Sequence, residues 1–110
     1  MITEDYVSFE TAKLLKEKGF EQFGCDKQYN TQGDLCSGYC YGPVAPTLQM
    51  VMKWLREVHH IFIRVIQSHI EYCTCEIYYN IVHHYEFRES FNTYEEACEA
   101  AIKYCLEKLI

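Results

Sequence analysis

Glycine is scarce in this chain, at five residues, and none stands in the G-x-x-x-x-G-K spacing whose backbone amides cradle phosphates. The familiar nucleoside-triphosphate and dinucleotide chemistries are excluded on that ground. Bases are also few: ten Lys and Arg face sixteen Asp and Glu, for a net charge of −6. They are scattered, and most share a helix face with glutamates, so the phosphate neutralisation that drives duplex binding has no footprint. General nucleic-acid binding is not expected, nor is attraction to an anionic membrane. No uncharged apolar run approaches the roughly 20 residues of a membrane span. The start, Met1-Ile2-Thr3-Glu4-Asp5, is acidic where a secretory signal is basic and then apolar. The expected location is therefore the cytoplasm. Repeats, linkers and low-complexity tracts are lacking, so 1–110 reads as a single α+β domain.

Apolar residues are plentiful, at 49%, enough for a core that needs no covalent staples. Seven cysteines make an odd set with no export signal. That argues for reduced thiols at core positions rather than a disulfide framework.

Periodicity places three helices and four strands. Ser8 caps a first helix whose inner face is Phe9, Ala12 and Leu15. Gly19 ends it in the left-handed region, and Phe20 folds back after it. Residues 23–42 carry two Tyr- and Cys-bearing stretches around Asn30-Thr31-Gln32-Gly33-Asp34, the pattern of a β-hairpin. Pro46-Thr47 opens a second helix with a stripe of Leu48, Val51, Leu55 and Val58, widened by Met50 and Trp54. Residues 61–66 are rich in β-branched side chains, with Arg64 the only charge, and read as an inner strand. From Tyr72 the residues alternate, with Cys73, Cys75, Ile77, Tyr79 and Ile81 on the buried side. A break is expected between Asn80 and His84, because no ordinary strand runs on to Phe87. Thr93-Tyr94-Glu95-Glu96 is a capping box for a last helix buried through Ala97, Cys98, Ala101, Cys105 and Leu109. Glu99 and Lys103 form an exposed pair on its other side. The expected fold is α+β, αββαββα, a mostly antiparallel four-stranded sheet packed with three helices.

Reactive side chains must be weighed against packing. Cys36-x3-Cys40 has zinc spacing, and with residues 31–34 as a four-residue loop Cys25 lies opposite Cys40, with Cys36 on the same face. Yet there is no second Cys pair, and neither His59-His60 nor His83-His84 has i,i+4 spacing. Buried thiols explain these residues better, so no metal is expected, and no cofactor. His59-His60 falls at a helix carboxyl end, where an imidazolium is stabilising, and His83-His84 in the strand break. The ten tyrosines remain. Packing accounts for Tyr29, Tyr79 and Tyr104. Tyr39 and Tyr41 instead project from one strand face just before the amino end of the second helix, whose free amides suit an anion. Thr47 and Gln49 at that helix end, and Arg64 in the following strand, complete the candidate ligand- or partner-binding set.

The phrases VSFETAKLLKEKGF, GPVAPTLQMVMKWLREVH and FNTYEEACEAAIKYCLEKLI resemble a family of small proteins of gut Bacteroides-type bacteria and their bacteriophages and mobile elements. The resemblance carries no activity and no functional residues. It implies an accessory role directed at host factors. The expected function is thus a non-enzymatic binding protein that sequesters or blocks a host component, either a small nucleotide-like immune signal or a host protein. The rival from another class is a small hydrolase or nuclease using His83 or His84 with an acid such as Glu86. A third reading is a self-associating structural protein, and a homodimer is expected if the sheet leaves an apolar strip uncovered.

Overall fold

The computed structural model describes residues 4–20, 25–37, 40–69, 72–80 and 83–110. It is an α+β structure of three helices and two antiparallel sheets. Helix α1 (Phe9–Glu17) starts where the Ser8 hydroxyl accepts from the Thr11 amide. It stops at Gly19, at φ +86°, which lets the Phe20 amide reach back to the Leu15 carbonyl at 3.0 Å. Phe20 is thereby returned to the core.

Strands β1 (Lys27–Tyr29) and β2 (Leu35–Ser37) form the hairpin, with Tyr29 opposite Leu35 and Gln28 opposite Cys36. The loop is one residue longer than expected, because the Asn30 side chain joins it. Its Oδ1 accepts from the amides of Gln32 and Asp34, both at 2.9 Å. The expected placing of Cys25 opposite Cys40 assumed the shorter loop and fails with it. Tyr29 anchors the hairpin, its hydroxyl donating to the Val7 carbonyl at 2.6 Å.

Helix α2 (Leu48–Val58) is capped by Thr47. Its buried stripe is Leu48, Val51, Met52 and Leu55, whereas Val58, expected to continue it, is 56% exposed. The second sheet comprises β3 (Ile61–His69), β4 (Tyr72–Tyr79) and β5 (His83–Glu86) in that spatial order. Asn80, at φ +56°, ends β4 within the expected break. That split gives five strands rather than four. The single four-stranded sheet is not formed: the second edge of β1 is taken by the segment after Gly42, through Tyr29 N to Pro43 O at 2.9 Å and Ala45 N to Lys27 O at 3.0 Å. Residues 61–66, expected as an inner strand, stand at the edge of the described sheet. Among the described residues β3 pairs only with β4, which is the centre of its sheet.

Helix α3 (Tyr94–Tyr104), capped by Thr93 and continued by a wide turn over Cys105–Leu109, packs on β3 and β4 together with α2. Its Ala97, Cys98, Ala101, Ile102, Cys105 and Leu106 meet Cys73, Cys75 and Ile77 of β4 in the core. Glu99 and Lys103 do not pair with each other as expected. Glu99 accepts from the Ser8 amide at 3.0 Å and the buried Thr11 hydroxyl at 2.7 Å, while Lys103 meets Glu10 at 2.9 Å. Both tie α3 to α1, because the two helices lie side by side.

Candidate ligand-binding site

The side chains singled out from the sequence do not build one site. Tyr39 lies outside the described residues. Tyr41 stands in a loop, 82% exposed. The Thr47 hydroxyl is spent capping α2, accepting from the Met50 amide at 3.2 Å, and Gln49 Nε2 donates to the Tyr94 hydroxyl at 3.2 Å. Arg64 is on β3, opposite Glu76 on the outer sheet face. The amino end of α2, expected to offer amides to an anion, is already engaged: Leu48 N donates to the Asp5 carbonyl at 2.9 Å. The chain's own amino-terminal segment supplies the acceptor.

His84 has an acid partner, but it is Glu76 rather than Glu86. Its Nε2 lies 2.7 Å from Glu76 Oε2, to which the Tyr78 hydroxyl also donates at 2.7 Å. Those two bonds hold the Glu76 carboxyl below its ordinary value. The His84 ring stacks on Tyr78 at 4.5 Å and is 40% exposed on the outer face of the sheet; His83 stacks on Tyr79. This is cross-strand pairing on an open surface, with stacking as its main feature.

The thiols divide in two. Cys73, Cys75, Cys98 and Cys105 are buried between β4 and α3. Burial pushes Cys75 and Cys105 up to about 12 and Cys98 up to about 11, so these groups stay neutral and unreactive. Cys36 and Cys40 are half-buried and close enough for their thiols to hydrogen-bond, which raises Cys40. Among the described residues no three His, Cys, Asp or Glu converge as metal ligands. An aromatic disulfide reagent at pH 8 should therefore modify Cys25, Cys36 and Cys40 in a fast phase, with the other four thiols appearing only as the chain unfolds. More than three thiols in the fast phase would contradict this burial.

The cleft best suited to a ligand lies between the carboxyl ends of α1 and α2. It measures about 430 Å³, within the usual range for small-molecule sites. Gly19 delivers Phe20 to one wall, and Trp54 of α2 meets it edge-on at 5.3 Å. His59, which ends α2, packs edge-on against the other side of this aromatic group, 4.7 Å from Trp54. Its Nε2 is buried and, among the described residues, has no hydrogen-bond partner. A buried polar atom left so costs about 1–3 kcal/mol, a penalty a ligand could relieve. Lys18 and Lys53 stand at the rim with Glu57. The Lys18 amine donates to the Ile110 carbonyl at 3.0 Å. By contrast, the cleft at the amino end of α3 is lined by Glu4, Asp5, Glu95, Glu96 and Glu99 and would repel an anion.

From the sequence, Phe20, Trp54 and His59 each have a local role. Phe20 is the residue folding back after Gly19, Trp54 a widening of the α2 stripe, and His59 a helix-end stabiliser. Each role is real. Their convergence is tertiary, and the signal that could have suggested it is Trp54 next to Lys53 on the flank of the stripe.

Helices and two antiparallel sheets around one core, with an aromatic cleft at the helix carboxyl ends, define an α+β protein with a ligand-sized recess beside Trp54. The chain matches no family model, no curated protein and no solved structure. No described helix is long and apolar enough to cross a membrane.

Proposed function

We propose that this chain is a non-enzymatic accessory binding protein whose Phe20–Trp54–His59 cleft takes a small planar anion of the nucleotide class. The observation that carries the reading is the buried His59 Nε2, without a partner among the described residues, at an aromatic wall of a cleft that Lys53 also lines. Trp54 supplies a π surface for a base and Lys53 a charge for phosphate, and a turn of the His59 ring would bring its buried Nε2 to the base edge. A phage-like role, sequestering a host nucleotide signal, would suit such a cleft and agrees with the family resemblance.

Trp54 is the chain's single tryptophan, so its emission reports on this site alone. Titration with linear and cyclic nucleotides should quench it saturably. Lys53→Ala should weaken binding about 10-fold through the lost charge-assisted bond. If no nucleotide changes the emission at millimolar concentration, the ligand reading fails, and a host protein becomes the better partner.

The hydrolase reading draws only on the Glu76–His84 pair. Its test is product formation from the same nucleotides, abolished by His84→Gln.

A further inference from the structure

We propose that β3 is a dimerisation edge, pairing antiparallel with β3 of a second copy about a twofold axis at Ile63 to make one six-stranded sheet. The first support is the direction of the backbone groups. Cys73 exchanges both main-chain bonds with Phe91, and the Cys75 carbonyl accepts from the Phe87 amide, so odd-numbered β4 residues bond towards the β5 side. Even-numbered ones therefore bond to β3, through Phe62, Arg64 and Ile66. The amides and carbonyls of Ile61, Ile63 and Val65 then point outward, and among the described residues nothing bonds to them. An outward row of donors and acceptors over the five residues 61–65 is a template for another strand.

The second support is incomplete burial. Ile63 and Val65 face the core side of the sheet, yet both are only half-buried, whereas their β4 partners Ile77 and Cys75 are fully covered. An apolar row stops at the edge without a neighbour to close it.

Self-complementarity selects a second copy as that neighbour. With the axis at Ile63, outward-bonding residues meet outward-bonding residues: Ile63 faces Ile63, and Ile61 faces Val65 of the other copy. On the outer face Phe62, 50% exposed, comes opposite the other copy's Arg64, and the reverse. That is a cation–π pair made twice. Moving the axis to Val65 would instead set Arg64 against Ile66. The chain carries a net charge of −6, yet residues 61–66 contain no acid, so two copies meet here without carboxylate repulsion. The proposal does not rest on the ligand reading, and its failure would leave that reading intact.

Sedimentation of the full chain from about 1 μM to about 1 mM should give a species of twice 13.1 kDa. Three variants test the arrangement, each checked by circular dichroism for an unchanged monomer fold. Ile63→Pro removes an outward N–H, which an edge strand tolerates, and should leave only monomer. Phe62→Lys sets like charges opposite Arg64 twice and should weaken association about 10-fold or more. Phe62→Glu sets opposite charges there and should hold association within about 3-fold of the parent. A wild-type chain that stays monomeric throughout, an Ile63→Pro chain that still dimerises, or Lys and Glu variants that behave alike would each overturn the proposal.

Discussion

Adding one methyl group at Gly42 is expected to cost about 3 kcal/mol or more, a large part of the 5–15 kcal/mol that keeps a typical domain folded. The cause is space rather than torsion. A Cβ there would be pressed against the Tyr29 carbonyl oxygen and would stand 2.8 Å from that of Asn30. These are backbone atoms and cannot swing aside. The Gly42 amide donates to that same Tyr29 oxygen at 2.9 Å, and the bonds at Pro43 and Ala45 continue the contact along β1. Relieving the clash would separate the strand from its neighbour and pull Tyr29 from Val7. Gly19 provides the contrast. A Cβ there meets nothing within 4 Å, but its φ of +86° disfavours any side chain. Gly19→Ala should cost about 1–2 kcal/mol. Urea melts of the two variants give the comparison, and a Gly42→Ala chain within about 1 kcal/mol of the parent would refute the close approach.

The contrast between those glycines parallels what the sequence made legible. Gly19 acts through its own backbone and is readable as a helix terminator; Gly42 acts through a segment over ten positions away, which no local pattern shows. The same division runs through the fold. Ser8 and Thr93 cap their helices as expected, because a capping side chain bonds within three residues, and Thr47, expected in a binding site, is used in the same way. The alternation along β4 was likewise local and appears in its burial. Strand partnership is not local. A β-branched run such as 61–66 looks the same whether it lies inside a sheet or at its edge, so the pattern could not reveal that only one side is paired. The hairpin register was lost on one side chain, Asn30, which closes the loop on Asp34 instead of pairing in a strand. Glu99 and Lys103 have ideal spacing for each other, yet each meets α1, because partners about 90 residues away in sequence lie closer in space. For the cleft, Trp54 and His59 share the end of α2, and only the return of Phe20 to the core after Gly19 brings its ring to Trp54.

Leucine 55 and valine 58 belong to the same sequence stripe, and the structure assigns them opposite energetic roles. Leu55 is fully buried, while Val58, one turn later, is 56% exposed at the cleft rim. The stripe at 48, 51, 52 and 55 follows the inner side of α2. Continuing it by three brings the chain to the last helical residue, where His59 and then His60, at φ +57°, turn the backbone into β3. The core therefore ends before the periodicity does. Leu55→Ala should lose about 3 kcal/mol, from the transfer of the deleted carbons and the cavity left among Val51, Ile61 and their neighbours. Val58→Ala should stay within about 0.5 kcal/mol, since the deleted methyls already face water. Paired denaturation curves of the two single variants would decide it. Equal losses would mean that the carboxyl end of α2 is covered by something the exposed Val58 does not show, and the cleft would have to be reconsidered as part of the core.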